Sequence, residues 1–189
     1  MKRLAVFVSG SGTNCENLIN YFREKGTAEV TLVVSNKCDA YALERAQRLG
    51  VPTAVVNKAQ LADANYILPL LQEAGADLVV LAGFLPLVPS VIIDAYPRRI
   101  VNLHPSLLPK YGGKGMWGHH VHEAVCAAHE KESGITVHYV TPVCDGGDII
   151  AQFRTLLSPQ DTPDTIAAKV HELEMRHFPH VVESLLDTI

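Results

Sequence analysis

The sequence predicts an α/β protein of three layers, with a mostly parallel central sheet and a Rossmann-like amino-terminal half. Two observations carry this expectation. From residue 4 to residue 82, short apolar runs alternate with segments of helical periodicity. That pattern implies right-handed crossovers and a parallel sheet covered on both faces. In addition, the first apolar run ends in Ser9-Gly10-Ser11-Gly12, a small-residue loop leading into a helical segment.

The elements follow in order. Leu4 to Val8 is an unbroken apolar run of strand length. Thr13 or Asn14 can cap the next helix, which carries Leu18, Ile19 and Phe22 on one face. Val30 to Val34 is a second strand, and Ala40 to Leu49 a helix with Gly50 just beyond its end. Val51 to Val56 is a third strand. A helix over Gln60 to Glu73 follows, open to interruption at Pro69. Asp77 to Ala82 is the fourth and most apolar strand. Beyond it the pattern is less regular: a helix around the prolines of Leu85 to Tyr96, a short strand Arg99 to Leu103, and a glycine-rich loop from Pro109 to Gly118. Then come a helix over Val121 to Ala128 and strands at Ile135 to Val140 and Ile149 to Leu157, parted by the turn signal Cys144-Asp145-Gly146-Gly147. Thr165 to Leu186 is apolar at helical spacing and packs back on the sheet. No repeat or linker divides the chain, so residues 1–189 read as one domain.

Composition narrows the function classes. The chain has 189 residues, 48% of them hydrophobic and 19% charged, enough for a core without staples. A formal net charge of −4 argues against a nucleic-acid partner, whose phosphates need surplus Lys and Arg. Cys15, Cys38, Cys126 and Cys144 are scattered and form no CxxC pair, as expected of reduced thiols in the cytoplasm. The most apolar stretch, Leu78 to Ile93, is interrupted by Pro86 and Pro89 and falls short of a membrane span.

Three places can carry chemistry. The Ser9 to Asn14 loop, between strand and helix, fits a phosphate cradle built on free helix N–H groups. It fits an ordinary tight turn equally well. It lacks the third glycine of a dinucleotide fingerprint and the Gly-Lys-Ser/Thr ending of a P-loop. The second strand ends in Ser35-Asn36-Lys37 without the acidic residue a nicotinamide cofactor needs, so an oxidoreductase fits poorly. Asn102 and His104 fall on one side of a strand end, where an amide and an imidazole can hold an oxyanion and manage a proton. A structural, hydrogen-bonded histidine is the alternative. Asp145, before Gly146-Gly147, is either a turn residue or a carboxylate beside His104 that raises its pKa. His119, His120, His122 and His129 match no familiar zinc spacing, so no metal is expected. Glu174 by itself reads as a surface carboxylate.

In combination, Asn102-Leu103-His104-Pro105-Ser106-Leu107-Leu108-Pro109 and Asp145-Gly146-Gly147 resemble the signature of the folate-dependent formyltransferases. The likeness runs over nearly the whole chain, including Val80-Leu81-Ala82-Gly83-Phe84 and Gly134-Ile135-Thr136-Val137-His138. The resemblance implies the formyltransferase fold and acyl transfer from 10-formyltetrahydrofolate to an amine, that of glycinamide ribonucleotide in the most similar branch. It implies catalytic roles for Asn102, His104 and Asp145, and a phosphate loop at Gly12, Thr13 and Asn14. It further implies ribose-side contacts at Glu174 and His171, and a folate pocket along Leu85, Pro86, Leu87 and Val88 and from Thr141 to Asp145, with Asn102. Pro86 stands where the family often has Arg, and no Arg occurs near Asp63, so contacts to the pterin and glutamate differ. The tRNA-specific and deformylase branches carry extra domains with no counterpart in this sequence. The expected partners are thus small molecules, with no nucleic acid and no membrane; a homodimer is compatible with this reading.

Overall fold

A computed structural model describes all 189 residues. Seven strands form one sheet in the order β3-β2-β1-β4-β5-β6-β7. They are β1 Lys2–Val8, β2 Ala28–Ser35, β3 Thr53–Val55, β4 Leu78–Leu81, β5 Ile100–His104, β6 Glu132–Tyr139 and β7 Ile149–Leu156. The first five run parallel, and β6 and β7 are antiparallel additions at one edge. The helices are α1 Thr13–Lys25, α2 Tyr41–Arg48, α3 Lys58–Ala62, α4 Ala64–Glu73, α5 Ser90–Ala95, α6 His119–Ala127 and α7 Pro163–Leu186. No helix is long and apolar enough to cross a membrane.

Alternation along the strands divides the core in two, because successive side chains face opposite sides of a sheet. On β1, Leu4, Val6 and Val8 join a cluster of 29 buried residues with Phe22 of α1, Ala42 of α2, Val121 of α6 and Phe178 of α7. Ala5 and Phe7 join a cluster of 14 with Leu61 of α3, Ile67 of α4 and Ile92 of α5. These are the two covered faces that unbroken apolar strands require.

Three local expectations are corrected. Neither Thr13 nor Asn14 caps α1: the cap position is Gly12, at φ 76°, and no side chain satisfies the helix N-terminus. A Cβ on Gly12 would overlap Ala42, so close packing of the loop on α2 demands glycine. The helix expected over Gln60 to Glu73 is two helices. It breaks at Asp63, whose carboxylate accepts from the Asn65 amide at 2.9 Å, whereas Pro69 lies inside α4. Asn57 and Gln60 start α3 with a reciprocal capping box. The helix around the prolines shrinks to Ser90–Ala95, since Pro86 and Pro89 disfavour helical geometry in the residues before them. The β6–β7 connection spans residues 140–148, as the turn signal Cys144 to Gly147 implies, and its turn closes from Gly146 N–H to the Val143 carbonyl.

Candidate active site

Strand register builds the centre of the site. On β5, Val101 and Leu103 face the larger core, which turns Asn102 and His104 to the other side. Across the antiparallel pair, Asn102 stands opposite His138 and His104 opposite Thr136. Cross-strand partners share a face, so four polar side chains meet at the carboxyl end of β5, where ligands of such sheets gather.

His104 is 4% exposed. Its Nε2 lies 2.7 Å from the Tyr111 carbonyl, which can only accept, so this nitrogen carries the proton. Nδ1 then faces Asp145 Oδ2 at 3.7 Å, too far for a direct hydrogen bond. Burial pushes the imidazole below its usual range, outweighing the upward pull of the Asp145 carboxylate and the Tyr111 contact. The expectation that Asp145 raises this pKa therefore holds for its own contribution and not for the net result. The ring is neutral at rest near pH 7.

His138, 2% exposed, is a site residue to which the sequence reading assigned no role. Its Nδ1 donates to the Tyr139 carbonyl at 2.9 Å, leaving Nε2 to accept from Asn102 Nδ2 at 3.0 Å. That bond orients the Asn102 amide and leaves its second N–H free. The same Nε2 is 3.6 Å from Asp145 Oδ1, so Asp145 lies between two imidazoles. The one signal available in sequence was period-two alternation along Gly134 to His138, which puts Thr136 and His138 on one face.

Asp145 has a left-handed backbone, φ 52°, a conformation that Asp tolerates better than most residues. Gly113 N–H donates to its Oδ2 at 2.8 Å, tying the glycine-rich loop to the turn. Burial pushes this carboxyl up, but the His138 ring, the Gly113 amide and the nearby imidazoles together bring it below the usual carboxylate range. It is ionised. Gly147 is required beside it, because a Cβ there would overlap the Tyr139 carbonyl. The loop under the site is fixed by Thr136 Oγ1, which donates to the Ser106 carbonyl at 2.7 Å and accepts from the Leu108 amide at 3.0 Å. No side chain here is poised as a nucleophile. Ser106 is buried and donates to the Lys110 carbonyl, and the Cys144 thiol is pushed up by burial and by Asp145.

A second polar group forms where α1 meets α7. Asn14 Nδ2 donates to Glu174 Oε2 at 2.8 Å, and His171 Nδ1 lies 3.1 Å from the same oxygen. Glu174 is thus a hub with only 13% of its side chain exposed, and not the surface carboxylate it resembled in isolation. Its hydrogen bond raises the His171 pKa. Gly12, Thr13 and Asn14 lie at the unsatisfied N-terminus of α1 beside it. Further along the carboxyl edge, Ser9 Oγ accepts from the Leu85 amide at 2.9 Å and so anchors the segment after β4. From that segment Leu85 and Leu87 are exposed, Pro86 lies between them, and Val88 packs on the smaller core as Val140 does. On the β6–β7 connection, Thr141 Oγ1 donates to the Val143 carbonyl at 3.2 Å, and the Val143 side chain is exposed. These apolar surfaces flank the polar centre. No group of three or more His, Cys, Asp or Glu is arranged to hold a metal ion.

The chain is similar to known proteins over nearly its whole length. A sequence model described as Formyl transferase matches residues 2–182. Phosphoribosylglycinamide formyltransferase of Bacillus subtilis is 36% identical over 193 residues, covering 98% of this chain and 95% of the relative. The chloroplastic phosphoribosylglycinamide formyltransferase of Arabidopsis thaliana is 37% identical over 192 residues, and the chain spans 66% of its length. Against that of Vigna unguiculata, the chain spans 61% of the relative. Among solved structures, phosphoribosylglycinamide formyltransferase from Bacillus halodurans superposes with a TM-score of 0.87 at 35% identity, covering 98% of this chain and 95% of that one. The Streptococcus pneumoniae TIGR4 structure gives 0.85 at 37%, covering 98% and 99%.

Proposed function

The chain belongs to the formyl transferase family, and from that premise we propose that it moves the formyl group of 10-formyltetrahydrofolate to the amine of glycinamide ribonucleotide, a step of de novo purine biosynthesis. The observation that carries this reading is the convergence of Asn102, His104 and Asp145 at one strand end, with the Asn14, Glu174 and His171 group along the same edge.

The reaction is an acyl transfer by direct attack. The neutral amine of the substrate adds to the formyl carbon, whose oxygen takes the negative charge of a tetrahedral intermediate. The free N–H of Asn102 donates to that oxygen, a contribution worth about 3–4 kcal/mol where such donors are preorganised. Because His104 is neutral at rest with its proton on Nε2, its Nδ1 lone pair is free to take the proton released by the attacking nitrogen. Ionised Asp145 stabilises the imidazolium so formed and shares in the proton transfer. The charged imidazole then holds the oxyanion and returns the proton to the folate nitrogen as the carbon–nitrogen bond breaks. The free N–H groups at the start of α1 and its dipole suit the substrate phosphate at Gly12 to Asn14, while Glu174 and His171 face its ribose. The exposed apolar side chains of Leu85, Leu87 and Val143 suit the flat folate ring.

The same reading takes residues 1–189 as one formyltransferase domain, supported by the single sheet that every strand joins. It also takes the protein as cytoplasmic, in keeping with four free cysteines. A homodimer is compatible with this reading, and light scattering tests it. The function itself is tested by incubating the protein with 10-formyltetrahydrofolate and glycinamide ribonucleotide. Release of tetrahydrofolate that depends on the amine supports it; no release overturns it.

A further inference from the structure

His122 is a histidine where α6 calls for an apolar residue. With Val121 and Val125 it forms the buried face of the helix, and it is 6% exposed. Its Nδ1 is buried without a hydrogen-bond partner. An unpaired buried nitrogen is unfavourable, and a leucine or phenylalanine would pack this face at no such cost. Internal acceptors do not relieve it: Glu174 Oε2 already serves Asn14 and His171, and His119, whose ring centroid is 6.3 Å away, turns its Nε2 to Asp164 at 3.6 Å.

Its position supplies a reason. α6 packs against α7, which carries Glu174. The titratable groups that act on the ring are Glu174, His119 and His104. His122 thus lies within electrostatic reach of both Glu174, on the ribose side, and His104, at the reacting centre. A second unpaired buried atom, Asn14 Oδ1, belongs to the side chain that bonds Glu174. Two buried hydrogen-bonding atoms without partners, His122 Nδ1 and Asn14 Oδ1, thus lie on the two helices that pack against α7.

We propose that His122 is a positioning residue for the amine substrate, hydrogen-bonding through Nδ1 to the amide that links the ribose to the reacting amine. This rests on the function proposed above. With the ribose at Glu174 and the amine at His104, the linking amide is the part of the substrate that spans the interval. An amide offers one donor and one acceptor, and Nδ1 of a neutral imidazole can meet either one according to its tautomer. Burial lowers the His122 pKa and keeps the ring neutral near pH 7, as that match requires.

The test is kinetic. His122→Phe keeps the ring's bulk and removes both nitrogens, and His122→Asn restores a polar atom near the Nδ1 position. KM for glycinamide ribonucleotide should rise roughly tenfold in the Phe variant, the loss of about one hydrogen bond, with KM for 10-formyltetrahydrofolate unchanged. The Asn variant should recover most of the loss. The Phe variant without substrate should melt no lower than the unmodified protein, because an unpaired polar atom has gone. An unchanged KM for the amine overturns the inference, as does an equal rise in both KM values with a lowered melting temperature. Should the Phe variant fail to fold, ¹⁵N NMR of the unmodified protein decides: glycinamide ribonucleotide should shift the His122 Nδ1 resonance, and no shift overturns the proposal. Absence of any turnover by the unmodified protein fails the functional reading itself, and this inference with it.

Discussion

His104 donates from Nε2 to the backbone carbonyl of Tyr111 over 2.7 Å, which fixes its tautomer and leaves Nδ1 unprotonated, facing Asp145. The same glycine-rich loop supplies Gly113 N–H to Asp145. One loop therefore sets both the imidazole and its carboxylate.

Replacing His104 with Ala should lower kcat by about 100- to 1000-fold and leave both KM values within a few-fold, since the ring acts mainly on charge that develops in the transition state. Steady-state kinetics with each substrate varied checks this. A variant retaining half the wild-type rate excludes His104 from the chemistry.

Asp145→Asn keeps the side chain's shape and removes its charge. Because the carboxylate pulls the His104 pKa upward against burial, that pKa should fall further in the variant. NMR titration of the imidazole measures the shift, and kcat should fall with it. An unmoved His104 titration means that the 3.7 Å separation carries no coupling.

Glu174→Gln should return the His171 pKa toward its ordinary range, since the Glu174 hydrogen bond is the main cause of its elevation. KM for the phosphorylated amine should rise well above tenfold while KM for the folate stays put, as expected for loss of a charge-assisted contact. Equal effects on both substrates would remove Glu174 from the amine side. Gly12 cannot serve this purpose, because any side chain there collides with Ala42 and disturbs α2.

Acid should destabilise the fold through its buried imidazoles. His104 and His122 have folded pKa values lowered by burial. Their contribution is full above the unfolded value of roughly 6.5 and is lost as pH falls through the lower folded values. His171 runs the other way: its contribution is full below that value and fades as pH rises through its raised folded pKa. Urea midpoints should therefore decline from about pH 7 to about pH 5, and the decline should be shallower in His122→Phe. A parallel decline in that variant contradicts a neutral, buried His122.

Gly147→Ala should destabilise by about 1–3 kcal/mol through overlap with the Tyr139 carbonyl, lowering the melting temperature by roughly 2–4 °C per kcal/mol. It should also reduce kcat, because Asp145 sits two residues before it. Full activity at a lowered melting temperature would separate the turn from the site.

The sequence by itself determined the strands, since runs such as Leu4 to Val8 and Leu78 to Leu81 have no other way to bury every side chain. It also determined that Asn102 and His104 share a face, because period two is a local property of one strand. It could not determine where α1 is capped or where the helix after β3 breaks, since the contact of Gly12 with Ala42 and the strength of the Asp63 cap depend on packing and geometry. Three further facts are purely tertiary. His138 enters the site only through the β5–β6 register, which pairs residues 36 apart. Asn14 and Glu174, 160 apart, meet only because α7 returns across α1. The charge state of His104 was decided by burial, which opposes the pull of Asp145 and exceeds it. Desolvation depends on every atom that surrounds a group in space, so no spacing along the chain encodes it.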